Sequence, residues 1–145
     1  MGRLIVLWGF LLAVSLSAKE AKPNILFIMA DDLGWMDLAC QGNKLVETPN
    51  LDRLAKQGMR FTDAYAAAPV CSPTRCAVLT GQAPARIGLT THLPGMFFPK
   101  DNRPQPAILT KQLDTDYVTI AERMREAGYK SAFLGKWHIA SSVGK

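Results

Sequence analysis

Residues 24–30, Asn-Ile-Leu-Phe-Ile-Met-Ala, form an unbroken apolar run of strand length that stops at the acidic pair Asp31-Asp32. A run without polar alternation predicts a strand covered on both faces, as in a parallel sheet between helices. From Thr48 the period changes. Leu51, Leu54 and Ala55 form a stripe at helical spacing, with Thr48 as cap, Pro49 at the first helical position and Gly58 as the stop. Residues 60–66 alternate like a short strand. A second helix is predicted from Ser72-Pro73 to Gly81, again with proline at the start and glycine past the end. Residues 82–114 carry five prolines from Pro84 to Pro106 and predict an irregular connection. A third helix is expected over 115–127, with Tyr117, Ile120, Ala121 and Met124 on one face and Gly128 after it. Ser131 to Leu134 predict a last short strand. This order of strands and helices points to an α/β layered domain, whose ligands gather at strand ends and helix starts.

The first residues obey another pattern. Arg3 precedes an apolar run from Leu4 to Leu16, and small residues follow at Ser15, Ser17 and Ala18. That order reads as a signal peptide over residues 1–18, with 19–145 as the mature part. Thirteen helical residues reach only about 20 Å, short of the roughly 30 Å hydrocarbon core, so no stable membrane span is expected. An uncleaved N-terminal anchor is the alternative. Export to a secreted or periplasmic location follows from this reading.

Charge adds little. The formal balance is +5, and removal of Arg3 with the leader gives +4. The bases are scattered, with no block dense enough for a nucleic-acid arm, although the positive balance would help draw anions into a cleft. The cysteines matter more. Cys40, Cys71 and Cys76 make an odd number, which in an exported protein leaves one thiol unpaired or consumed. Cys40 and Cys76 could pair in an oxidising compartment, though nothing local brings them close. His92 and His138 lie far from any cysteine pair, so no zinc pattern emerges.

Three groups of residues could carry chemistry. Cys71 falls at the mouth of the second predicted helix, where free N–H groups and the dipole favour a thiolate or an oxyanion. Arg75, one turn on, shares its face and could meet an anion there. The alternative for an isolated Cys-x-x-x-Arg is a buried free cysteine beside a surface arginine. Asp31 and Asp32 close the first predicted strand and could hold a hard cation, Ca²⁺ before Mg²⁺, provided the chain bends so that neighbouring side chains converge. Otherwise they start a loop or cap a helix. Lys136 and His138 share a face if the segment is extended and could clamp an anion, His138 adding a proton or a hydrogen bond; a solvated pair is the alternative. Trp35 and Trp137 flank these positions, and His92 reads as a surface residue.

Pro69-Val70-Cys71-Ser72-Pro73-Thr74-Arg75, continuing to Thr80-Gly81, resembles the first signature of the sulfatase family. Gly128-Tyr129-Lys130-Ser131-Ala132-Phe133-Leu134-Gly135-Lys136-Trp137-His138 resembles the second, departing at Leu134, where the family usually has a smaller or β-branched residue. Lys22-Pro23-Asn24-Ile25 through Asp31-Asp32-Leu33-Gly34-Trp35 and Thr48-Pro49-Asn50-Leu51-Asp52 are also similar to the family, so the likeness covers residues 22–138 in order. It implies the N-terminal part of an alkaline-phosphatase-like domain with a mostly parallel central sheet flanked by helices. It also implies hydrolysis of sulfate monoesters. Cys71 would be converted to formylglycine by a formylglycine-generating enzyme, which accounts for the odd thiol, and Asp31, Asp32 and the converted Cys71 would bind the cation. Arg75 would orient the hydrated aldehyde; Lys136 and His138 would bind the substrate's sulfate, His138 also serving in catalysis. The resemblance places further metal and substrate ligands far downstream, so 145 residues expressed alone are expected to be inactive and poorly stable, as a fragment or a truncated product. Two other functions stay open: a phosphonate or phosphate monoester hydrolase of the same superfamily, and a non-catalytic anion-binding remnant.

Overall fold

The computed structural model describes residues 22–94 and 110–140. Among these residues four α-helices follow one another: α1 (Pro49–Gln57), α2 (Cys71–Thr80), α3 (Pro84–Ile87) and α4 (Ile120–Glu126), with a 3-10 turn at Ala39–Gln41 ahead of them. The expected leader (residues 1–18) lies outside the described residues.

Local chemistry explains where the helices begin and end. Pro49 opens α1, and Gly58 closes it through its N–H to the Leu54 carbonyl. Thr48 does not cap α1 with its side chain. Its hydroxyl accepts from the Ala39 N–H and donates to Asp52, whose carboxylate also accepts from the Cys40 N–H, so these polar groups staple the 3-10 turn to α1. Helix α2 starts two residues earlier than Pro73, at Cys71 itself, and ends at Gly81 in the left-handed conformation. Helix α4 is shorter than the span 115–127 because a capping box fixes its start. Thr119 Oγ1 accepts from the Glu122 N–H, and the Glu122 carboxylate accepts from the Thr119 N–H in return. Those bonds hold the Glu122 carboxyl below its ordinary range. Helix α3 lies inside the stretch expected to be irregular. Pro84 at its first turn and Gly88 after it are the start and stop signals a four-residue helix needs.

The hydrophobic core gathers around α2 and α3. Cys76, Ile87, Leu89, Leu93 and Ile139 are buried together, with Leu79, Leu113 and Tyr117 packed against them. Burial pushes the Cys76 thiol up to about 11. All three cysteines are free, so the pairing of Cys40 with Cys76 that the sequence leaves open is not formed.

The expected strands at 24–30, 60–66 and 131–134 do not form: among the described residues there is no strand, and the sole bridge is antiparallel, between Gln112 and Ala140. A helix satisfies its own backbone, whereas a strand needs a neighbour's N–H and C=O groups. These segments have no such neighbour here, and their side chains stand in solvent: Leu26 is 84% exposed and Leu134 92%. The run 24–30 is held near its ends instead. Lys22 donates to the Ala127 carbonyl at the C-terminal end of α4, where the helix dipole favours a cation, and lies 5.7 Å from the centre of the Tyr129 ring. No helix among the described residues is long and apolar enough to cross a membrane.

Candidate active site

The acidic pair converges because the chain turns at Asp32. Its φ of 55° is left-handed, a conformation that costs a non-glycine residue roughly 1–2 kcal/mol. In a straight strand Asp31 and Asp32 would point apart. With this turn, one carboxylate oxygen from each and the Cys71 sulfur all lie within 4.8 Å of one another, although Cys71 is 39 residues further along the chain.

Two cations complete the cluster. Lys136 Nζ donates to Asp31 Oδ2 at 2.6 Å and to Cys71 Sγ at 3.3 Å. Arg75 donates through Nη2 to Asp31 Oδ1 at 3.0 Å and through Nη1 to the Lys136 carbonyl at 2.5 Å. Lys136 first and Arg75 second hold the Asp31 carboxyl down at about 2. Reciprocally, Asp31 and then Cys71 raise the Lys136 ammonium above its ordinary value. Arg75 is nearly buried, and its Nε donates to no acceptor among the described residues. Two acids and two bases balance formally while the thiol is neutral.

The residues fit a divalent cation. Two hard carboxylate oxygens meet in space from adjacent positions, with the Cys71 sulfur beside them as a third ligand atom. Cys71 is the first residue of α2, with Val70 extended before it and no side chain capping the helix, so the dipole faces the half-buried thiol.

His138 is placed differently from the extended pairing with Lys136 expected above. Gly135 at φ 101° and His138 at φ 53° turn the segment, so Lys136 reaches the acidic pair while the His138 ring turns to the Leu93 carbonyl, 2.7 Å from Nε2. A carbonyl only accepts, so Nε2 carries the proton and Nδ1 is left as the acceptor, buried and without a partner. Arg75 likewise spends its hydrogen bonds on Asp31 and Lys136 rather than directly on Cys71. Among the described residues, His92 makes no hydrogen bond to the cluster, whose bonds run among Asp31, Cys71, Arg75 and Lys136. Trp137 stacks edge-to-face on Phe133, ring centres 5.0 Å apart, and Trp35 stays exposed. Sequence reasoning missed Ser72. It is fully buried, and its Oγ accepts from the Leu93 N–H at 3.0 Å, a partner 21 residues away that no local pattern announces.

A family model described as Sulfatase matches residues 23–142. Human steryl-sulfatase is 40% identical over 129 residues, covering 87% of this chain and 21% of that protein. Bovine arylsulfatase A is 42% identical over 92% of this chain and 24% of its own length, and canine N-acetylgalactosamine-6-sulfatase 41% over 91% and 26%. Among solved structures, Ps i-CgsB superposes with a TM-score of 0.70 at 39% identity over 84% of this chain and 25% of that one. The protein BT33336S-sulf, from glycosaminoglycan metabolism in Bacteroides thetaiotaomicron, gives 0.67 at 43% over 81% and 22%. The chain thus spans between a fifth and about a quarter of the length of these curated relatives. With the match running through the acidic pair, the cysteine helix and the Lys136–His138 segment in order, the chain belongs to the sulfatase family.

Proposed function

We propose that the intact protein carrying this chain hydrolyses sulfate monoesters with a formylglycine formed from Cys71. The observation that carries this reading is the convergence of Asp31, Asp32, Cys71 and Lys136 from three separate segments. A two-electron oxidation by a formylglycine-generating enzyme replaces the CH₂SH group of Cys71 with an aldehyde, which takes up water to give a geminal diol. One hydroxyl attacks the ester sulfur and the alcohol departs. The second hydroxyl loses its proton, the aldehyde re-forms and sulfate leaves, so one water is consumed per ester.

A divalent cation held by Asp31, Asp32 and the converted Cys71 would supply Lewis acidity; Ca²⁺ suits this oxygen set best and Mg²⁺ next. It also changes the charge balance. Two acids and two bases cancel, so the added cation leaves the site positive, ready for an anionic ester and then for sulfate. Lys136 binds the sulfate group, a role supported by its bonds to Asp31 and Cys71. Arg75 orients the diol, with its free Nε–H as a further donor. His138 binds substrate and handles a proton at Nδ1: neutral, it accepts one, and the imidazolium returns it.

The family match supports an alkaline-phosphatase-like layered α/β domain in the intact protein, in which the apolar runs 24–30 and 131–134 become covered strands. We also propose export directed by residues 1–18. The test is turnover of an aryl sulfate against an aryl phosphonate by the intact protein, with mass spectrometry of the Cys71 peptide. Sulfate turnover with sulfur replaced by oxygen at Cys71 is expected. Preference for the phosphonate would move the protein to a phosphonate hydrolase, and an unmodified thiol without turnover would make it a non-catalytic remnant.

A further inference from the structure

A serine in the first turn of a helix ordinarily bonds to its own helix's free N–H groups. Ser72 does not. Helix α2 has no side-chain cap, and Ser72 Oγ, fully buried, accepts from the Leu93 N–H at 3.0 Å. The carbonyl of the same Leu93 accepts from His138 Nε2 at 2.7 Å. Leu93 is thereby gripped on its N–H side by the cysteine helix and on its C=O side by the histidine, while its side chain sits in the core beside Cys76, Leu89 and Ile139.

The backbone around His138 is pinned as well. Arg75 holds the Lys136 carbonyl, and the Ile139 carbonyl accepts from the Leu113 N–H at 2.8 Å. What remains free is the ring's rotation and its tautomer, and the Leu93 carbonyl decides both. If Leu93 shifts, Nε2 loses its acceptor and the proton can move to Nδ1.

We propose that Ser72 is a positioning residue: through Leu93 it fixes the orientation and the Nε2–H tautomer of His138, so one turn of α2 places both the reacting residue and its proton carrier. For its kinetic consequence the proposal rests on the hydrolase reading above; the tautomer does not depend on it.

The test compares wild type, Ser72→Ala and Ser72→Thr in the intact protein, with Thr80→Ala as control. Thr80→Ala removes another hydroxyl-to-backbone bond of the same helix, that to the Cys76 carbonyl. Nitrogen-15 NMR of His138 is expected to show the Nε2–H tautomer in wild type, Ser72→Thr and Thr80→Ala, and a mixture in Ser72→Ala. With an aryl sulfate, Ser72→Ala should lower kcat about tenfold and raise KM by a smaller factor, because a misplaced proton carrier weakens the transition state more than it weakens binding. Thr80→Ala should leave kcat alone, and Ser72→Thr should restore it. An unchanged tautomer and kcat in folded Ser72→Ala would overturn the proposal, as would a Thr80→Ala effect of equal size. If wild type turns over no sulfate ester, the hydrolase reading falls while the NMR comparison still decides this one. Should Ser72→Ala not fold, wild type decides through hydrogen exchange: a protected Leu93 amide is expected, and an amide exchanging at the free rate refutes the contact.

Discussion

Two apolar stretches among the described residues meet opposite fates: one is buried and the other is not. Between Cys71 and Leu93, Cys76, Ile87, Leu89 and Leu93 close on one another and on Ile139. Between residues 24 and 30, Ile25, Leu26, Phe27 and Ile28 are all more than half exposed. The difference lies in the backbone. Helices α2 and α3 complete their own hydrogen bonds, so their side chains need only each other. The extended run must borrow partners, and none is available among the described residues. It is fastened near its ends by charge instead, Lys22 on the end of α4 and Asp31 between Arg75 and Lys136. Apolar pattern states a demand for burial; the supply of partners decides whether it is met.

The sharpest way to break this comparison is truncation on each side. Leu89→Ala empties a fully buried position and should cost the chain about 2–5 kcal/mol, enough to unfold a marginal domain. Leu26→Ala, made in the same 145-residue chain, should stay within about 0.5 kcal/mol, as for any exposed residue. Denaturant melts read both. In the intact protein the proposed sheet would cover Leu26, and the same substitution should then become as costly as the one at Leu89. Equal, small costs in both settings would refute the covered strand.

A smaller effect is expected at α4, which stands between the two cases. Its residues are largely exposed, and its order comes from the capping box rather than from packing. Thr119→Ala removes the hydroxyl that bonds the Glu122 N–H and should cost about 1 kcal/mol, read as a lowered melting temperature. If α4 were held by packing alone, the substitution would be silent.

This contrast also marks how far the sequence could be read. Helices α1 and α2 were legible because Pro49, Gly58 and Gly81 act within one turn of the residues they start or stop. The start of α4 was misplaced because Tyr117 extends the apolar stripe backwards, while the Thr119–Glu122 box acts further on. The strands were named by their own residues, but whether they pair depends on partners elsewhere. At the site, Asp31, Asp32, Cys71, Arg75 and Lys136 were legible as residue types in recognisable spacing. The turns at Asp32 and His138 were not, since left-handed backbone at non-glycine residues leaves no trace in spacing. Nor was the Ser72–Leu93–His138 connection, which joins three distant segments through backbone atoms.

The least costly way to test the charged fastening is to titrate Asp31. In protein freed of metal by a chelator, its carboxyl should titrate at about 2 rather than the ordinary 3.8, followed by carbon-13 NMR of the side chain. A folded value below the unfolded one means that the contribution to stability is whole above about pH 4 and is lost as the pH falls through about 2. Lys136 gives the opposite sign. Its folded value is raised, so its share is whole below 10.5 and fades as the pH climbs beyond its folded value. Lys136→Met removes the larger cause of the Asp31 shift and should move that carboxyl back up toward 3.8, leaving Arg75 to hold the remainder. The effect on stability should be small, because the Asp31 side chain keeps about a third of its surface in water and solvent screens the pair. A wild-type midpoint already at 3.8 would mean that the end of the apolar run is not fastened by charge at all.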